Sequence, residues 1–575
     1  MFGAEESRDQ KSTPAREESM KSRTAALESI RNKAFNVCVI GGGATGLGSA
    51  LDAQLRGLST VLIDAGDFVS KTSSASTKLA HGGVRYLQQA VLELDYGQFR
   101  MVRKALQERV HMLHAAPYLA HPLELLVPCY SRWQMFYMAV GMKMYDLIAG
   151  KAHFAPSRVL SRQKAMEVLP SLRMEKVAGA VTYEDGQFND ARYGIAMAKT
   201  IAQIGGELLN YARVAGFDYG SDGKLVSAQV EDRMGGQPFS ISAHVFLNCT
   251  GPFSDEIRLM ANPQMKRRLR ISKGIHILLP ADALRSETAL LIPETEDGRV
   301  IFAIPWFGSL LVGTTEDEIE ATEEVTAKES EIAYLLKYVN EYLSTNFTFS
   351  DVQAAFAGVR PLVASKDEVN TKKLVRDHEV ETDAKSGLIS ILGGKWTTYR
   401  AMAEDGINHV QRALGRPVTA ALTRDLPLAG AHQFHAEYEG ELASQYHLPE
   451  NIAKHLAQEF GTDAPRVLET VSADVELAEP VYPGSAVLAG EVLYSIREEM
   501  AQNIEDVLAR RTGIQVHSWK NAVAAAPLVG KLLGRELGWS KEATCKAIGN
   551  YVGVVQSWAH RAAVPLDIRT PITAN

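Results

Sequence analysis

An apolar run at residues 35–40 opens the pattern, with side chains suited to a strand buried on both faces of a parallel sheet. Glycines at 41, 42, 43 and 46 turn the chain. A helical stretch follows to about Arg56, where Gly57 stops it before a second apolar strand at 60–64. Apolar residues then recur at helical spacing, at Val102, Ala105, Leu106, Val110 and Leu113, in a helix ended near Pro117. From about 177 to 315 strands and turns dominate, and the clearest unit there pairs 300–306 with 310–315 across Phe307-Gly308-Ser309. Beyond about 426 the pattern is helical, for example at 487–511 and 521–533. Residues 1–34 read as a polar leader, helical from 24 to 30.

A chain of 575 residues has the length of three or four domain-sized units. Its 61 basic against 68 acidic residues leave a net charge of −7, where a dedicated nucleic-acid binder would carry a basic excess. Cys38, Cys129, Cys249 and Cys545 are too scattered for a disulfide framework or a zinc site, so no metal is expected. No stretch has the apolar length of a membrane span; the segment 133–150 comes near but holds Lys143 and Asp146. Acids at Glu5, Glu6 and Asp9, with no apolar core beside them, argue against a signal or transit peptide.

The glycine loop is the first sign of chemistry. Gly41, Gly43 and Gly46 satisfy GxGxxG between a strand and a helix. The first glycine permits the tight turn, the second lets backbone approach a pyrophosphate, and the third lets helix and strand pack closely. Asp64, roughly 20 residues on, ends the second strand, where a carboxylate accepts from ribose hydroxyls. Dinucleotide binding follows, but this loop leaves NAD and FAD open. Two further segments favour a flavin. Residues 245–251 run as a strand into Thr250 and Gly251, and 388–392 run into Gly393-Gly394-Lys395-Trp396-Thr397 before a helix. Paired glycines let a flat ring lie against backbone, and a helix N-terminus suits the anionic edge of a reduced flavin.

The run from Thr72 to Leu87, TSSASTKLAHGGVRYL, resembles the signature of the FAD-dependent glycerol-3-phosphate dehydrogenase family. So do Asp185–Arg192, Phe302–Trp306, Gly358–Leu362, Arg376-Asp377-His378 and the stretch GGKWTTYR from Gly393. The likeness covers residues 35–405 and weakens through the helical tail. It implies an α/β fold: a Rossmann-type FAD-binding domain, a β-sheet substrate domain and a C-terminal helical domain. On that reading 1–34 is a polar segment and 35–415 interleaves the two domains, with the FAD part at about 35–90, 177–255 and 355–415. Residues 425–575 form the helical domain.

The resemblance also implies roles. FAD is the cofactor, oxidising sn-glycerol 3-phosphate to dihydroxyacetone phosphate with electrons passed to a quinone. Arg360 and Arg376 match the family's phosphate-binding arginines, Lys395 its lysine beside the flavin, and Arg85 and Tyr86 line the same pocket. Arg85 would stabilise a developing alkoxide. The hydroxyls of Thr72, Ser73, Ser74 and Ser76 would meet the pyrophosphate or ribityl chain, with Lys78, Gly82, Thr250, Gly251, Gly394 and Thr397 also at the cofactor. His276 is the candidate base for the C2 hydroxyl, because an imidazole titrates near neutral pH. Phe188, Phe253 and Glu316 stand where relatives commonly have His, Trp and Asp, which bears on substrate preference.

Two rivals stay open at this point: an oxidase passing electrons to oxygen, and a non-catalytic flavoprotein associated with nucleic acid. A quinone-linked enzyme without a spanning helix would sit on the cytoplasmic face of the membrane. The aromatic-rich 133–150 segment and the basic block Lys266, Arg267, Arg268, Arg270 and Lys273 are its candidate lipid contacts. A homodimer is compatible with this reading.

Overall fold

The computed structural model describes residues 20–83, 96–175, 177–293, 295–320, 324–364 and 378–567. Two sheets organise them. The first runs in the order His378–Thr382, Ile389–Gly393, Phe239–Asn248, Ala34–Ile40, Thr60–Ile63 and Glu207–Leu209. A meander of Ala212–Tyr219 and Leu225–Asp232 joins it at Phe239–Asn248. Ala34–Ile40 lies parallel to both neighbours, which explains why it reads as an apolar run and not an alternating one. Helices Ala44–Leu55, Asp190–Gln203 and Tyr399–Ala413 pack with this sheet in one core.

The second sheet has ten strands among the described residues and is mostly antiparallel. Its long ladder pairs Leu269–Pro280 with Ala354–Val363. The expected hairpin is present as Ile301–Trp306 against Ser309–Gly313. Its loop is shorter than expected: Trp306 pairs with Ser309, leaving Phe307 and Gly308, both with positive φ, as a two-residue turn of the kind that suits strand twist.

Three expectations are corrected. Gly179–Phe188 and Ala354–Val363, grouped above with the FAD part, run in the second sheet. Helix Asp190–Gln203 interrupts the stretch read as strands. Asn189 caps it, its side chain accepting from Arg192 N, and the helix is buried nearly all round. The expected helix 487–511 is two pieces, Ala489–Glu498 and a π-helical turn Asp506–Arg511.

The helical C-terminal unit docks through buried ion pairs. Arg192 grips Glu499 with two hydrogen bonds of 2.7 and 2.9 Å, and Lys199 reaches Asp463 at 2.5 Å. Removing one member of such a pair typically costs about 3–5 kcal/mol, because the other charge stays buried and unpaired. The N-terminal helix Arg23–Ile30 is tied down similarly, by Arg23 to Asp232 at 2.6 Å and by burial of Ala26 and Ile30.

Candidate cofactor and active site

A cavity of about 640 Å³ opens at the ends of the parallel strands. Gly41, Gly43, Asp64, Thr72, Ser73, Thr250, Gly251, Gly394 and Lys395 all line it, as the sequence reading groups them. The glycines are there for backbone reasons. Gly41 has φ +106, and a Cβ on it would lie 2.7 Å from the Cys249 carbonyl oxygen. At Gly46 a Cβ would fall 1.7 Å from the Gly41 oxygen, so this glycine serves helix–strand approach and not the cavity wall. Gly394, at φ +90, holds a left-handed conformation that other residues avoid.

The polar side chains around the loop are set in place. Asp64 accepts from Gly42 N at 2.6 Å and Gly66 N at 2.7 Å, and burial raises its carboxyl above the usual range. Ser73 Oγ accepts from Ala44 N at the start of the first helix. Thr72 Oγ1 is buried on the cavity wall with no hydrogen-bond partner among the described residues. An unmatched hydroxyl beside a glycine loop and a helix N-terminus fits the diphosphate and ribityl groups of a dinucleotide.

Several expected cofactor residues are otherwise engaged. Lys78 is buried, its ammonium 2.5 Å from Asp190 and 2.8 Å from the Ser74 carbonyl oxygen, between the rings of Trp306 and Phe356. A buried ammonium needs a carboxylate, and Asp190 supplies it. Ser74 borders a neighbouring cavity, and Ser76 Oγ accepts from Lys78 N. Gly82 N donates to Tyr145, and Thr397 Oγ1 accepts from His81 N. Arg85, Tyr86 and Arg376 lie outside the described residues.

The second sheet supplies the floor beside this cavity. In its long ladder Ser272, Gly274 and His276 pair with Arg360, Gly358 and Phe356, so these six residues face one side. Three glycines clear space on it. A Cβ at Gly274 would meet Arg360 Nη1 at 2.7 Å, one at Gly358 would meet the Ala75 oxygen at 2.4 Å, and one at Gly313 would meet the His276 ring at 2.1 Å. The loop from Thr72 to Thr77 therefore lies on the sheet at Gly358. One end reaches the cavity and the other reaches His276, whose Nε2 is 3.0 Å from Thr77 Oγ1.

His276 is 2% exposed and stacks on Phe356 at 5.0 Å. Burial, with Arg360 and Lys78 nearby, holds its imidazole well below the ordinary value and keeps it neutral. Its Nδ1 has no hydrogen-bond partner among the described residues. Arg360 is half-buried, donates to Thr314 Oγ1 at 3.1 Å, and is followed by Pro361 on the cavity wall.

Sequence reasoning missed part of the wall. Trp396, read only as one letter of a motif, donates to the Ser73 carbonyl oxygen at 2.8 Å and packs edge-on against Phe188, Tyr193 and Tyr399. Arg213 lines the cavity from the meander and Tyr211 and Arg233 from its two ends, with Asn503, Glu505 and Arg510 from the C-terminal unit. No local motif marks them; their position depends on how distant segments pack.

Residues 36–400 match the family described as FAD dependent oxidoreductase, and 421–544 match the C-terminal domain of alpha-glycerophosphate oxidase. Fold and cavity thus define an FAD-dependent oxidoreductase. The chain is 40% identical over 518 residues to a probable mitochondrial glycerol-3-phosphate dehydrogenase of Caenorhabditis elegans, covering 89% of this chain and 72% of that one. It is 40% identical over 533 residues to the mitochondrial glycerol-3-phosphate dehydrogenase of Rattus norvegicus, covering 90% and 73%. The X-ray structure of the glycerol-3-phosphate dehydrogenase from Bacillus halodurans, complexed with FAD, matches with a TM-score of 0.76 at 28% identity, covering 96% of this chain and all of that one. The chain belongs to the FAD-dependent glycerol-3-phosphate dehydrogenase family.

The cofactor is expected to be held without a covalent bond. Cys249 lines the cavity, but burial pushes its thiol up to about 12, far from the thiolate a flavin link would use. Acid precipitation of purified protein should release all yellow colour to the supernatant. Colour kept in the pellet would refute this.

Proposed function

We propose that this protein oxidises sn-glycerol 3-phosphate to dihydroxyacetone phosphate, with electrons passing from FAD to a membrane quinone. The observation that carries the reading is the loop Thr72–Thr77, which joins the dinucleotide cavity to a floor presenting His276 and Arg360. Bound FAD supplies the two-electron acceptor for the hydride leaving C2. Arg360 binds the substrate phosphate, where a guanidinium offers paired donors to a dianion. His276 takes the C2 hydroxyl proton. With Nε2 held by Thr77, Nδ1 is the nitrogen left to accept it, and the depressed pKa keeps it free to do so. Lys395, on the cavity wall beside Gly394, adds positive charge next to the flavin.

The test is anaerobic. Glycerol 3-phosphate should bleach the bound flavin, and a quinone analogue should restore its colour faster than oxygen does. No bleaching defeats the substrate assignment. Faster return with oxygen makes the enzyme an oxidase.

The membrane part of the proposal draws on helix Arg132–Ala149. Met142, Tyr145 and Ala149 are buried, while Trp133 is 75% exposed, Phe136 60% and Leu147 81%. Among the described residues no helix is long and apolar enough to cross a membrane. An apolar face of this kind suits the interfacial layer, on the cytoplasmic side as the reading has it. The basic block contributes less than its sequence suggests. Lys273 is buried against Glu331, Arg268 pairs with Glu379, and Arg270 pairs with Glu318. Protein should therefore sediment with anionic liposomes and be released by salt plus mild detergent, but not by salt alone. Protein left wholly in the supernatant at low salt removes the membrane assignment.

A further inference from the structure

The C-terminal unit has no part in the chemistry above, yet it forms one wall of the dinucleotide cavity. Asn503, Glu505 and Arg510 line that cavity together with Asp64, Asp67 and Tyr211. The contacts are buried and specific. Arg510 Nε donates to Asp67 Oδ2 at 2.7 Å and Nη2 to Asp506 Oδ1 at 2.5 Å. Arg511 also grips Asp67 and donates to the Glu499 carbonyl oxygen at 2.6 Å. Tyr211 donates to Asp506 at 2.6 Å, and Asn210 bridges Asp67 and the Met500 carbonyl oxygen. Asp67 belongs to the loop that follows Asp64, so the network ends on the cofactor loop itself.

The backbone is shaped for this. Residues Asp506–Arg511 form a π-helical turn, in which Thr512 N reaches back to the Val507 carbonyl oxygen at 2.9 Å. Such turns are rare and concentrate at functional sites. Two arginines adjacent in sequence, Arg510 and Arg511, converge here on the single carboxylate of Asp67.

We propose that the C-terminal unit is a cofactor latch, in which Arg510 completes the FAD cavity and FAD binding is coupled to docking of the segment 499–511. The inference rests on the cavity being the FAD site. Linkage makes the effect reciprocal: if docking of the segment tightens FAD, FAD must tighten docking by the same factor. Arg510 is then a positioning residue that holds the Asp67 loop in its binding form.

The experiment uses the full chain. Hydrogen exchange of the wild-type protein is followed without FAD and at saturating FAD, and the FAD dissociation constant is measured for wild type, Arg510→Gln and Arg497→Gln. Arg497 pairs with Glu536, where it is half exposed, away from the cavity, and serves as the control. Peptides covering 499–512 should gain protection with FAD. Arg510→Gln should weaken FAD binding about tenfold or more, as expected for loss of a charged buried contact, with Arg497→Gln unchanged. Unchanged exchange across 499–512 overturns the proposal even if Arg510→Gln fails to fold. So does wild-type affinity in Arg510→Gln, or an equal loss in Arg497→Gln. Wild-type protein that binds no FAD at all would instead defeat the cofactor assignment.

Discussion

Replacing His276 with glutamine lowers turnover about 10²–10⁴-fold, the range for removing a general base, and leaves FAD bound. Glutamine keeps a polar group within reach of Thr77, so the loop Thr72–Thr77 should hold its place on the sheet. What is lost is a nitrogen able to take a proton. The pH profile supplies the second readout. Burial together with Arg360 and Lys78 lowers the imidazole pKa, so the wild-type base stays deprotonated as pH falls through the ordinary value of 6.5. The acid limb attributable to His276 therefore lies below 6.5, not at it. The same sign governs stability: neutral His276 supports the fold at and above neutral pH, and that support is lost as acid forces a proton onto it. A mutant with near-normal turnover and an unchanged profile would assign the proton to another group.

Arg360→Ala should reduce kcat/KM for glycerol 3-phosphate by about 10²-fold or more, equivalent to about 3 kcal/mol of transition-state binding. The phosphate contact is charge-assisted, and Arg360 is half-buried over Gly274, where water competes less than at an open surface. Glycerol, which lacks the phosphate, should lose much less. Equal losses for the two substrates would make Arg360 a structural residue whose role is its bond to Thr314. Because Arg360 also depresses the His276 pKa, its removal should move the acid limb upward, towards the ordinary imidazole value.

Much of the cofactor region was legible before any packing was known. The glycine positions are demanded by local backbone geometry: Gly41 needs a positive φ, and Gly46 must leave room for the Gly41 oxygen only a few residues away. Such constraints act within one turn, so they leave a mark in the sequence. The apolar run at Ala34–Ile40 and the hairpin at Ile301–Gly313 are legible for the same reason. Gly393, Gly394 and Lys395 line the cavity, although the part played by Trp396 does not show in the motif.

By itself, then, the sequence determined a dinucleotide-binding βαβ unit, a second sheet, a helical tail and the family to which they belong. The tertiary structure decided which charges are available. Lys78 looked like a cofactor contact until Asp190, more than a hundred residues away, was found to neutralise it. The basic block looked unopposed until Glu318, Glu331 and Glu379 met three of its members. Arg510 looked like one residue of a helical tail until Asp67 drew it to the loop that follows Asp64. In each case a buried or half-buried charge takes its nearest carboxylate in space. Periodicity and spacing describe neighbours along the chain, whereas that carboxylate is chosen by how separate elements pack.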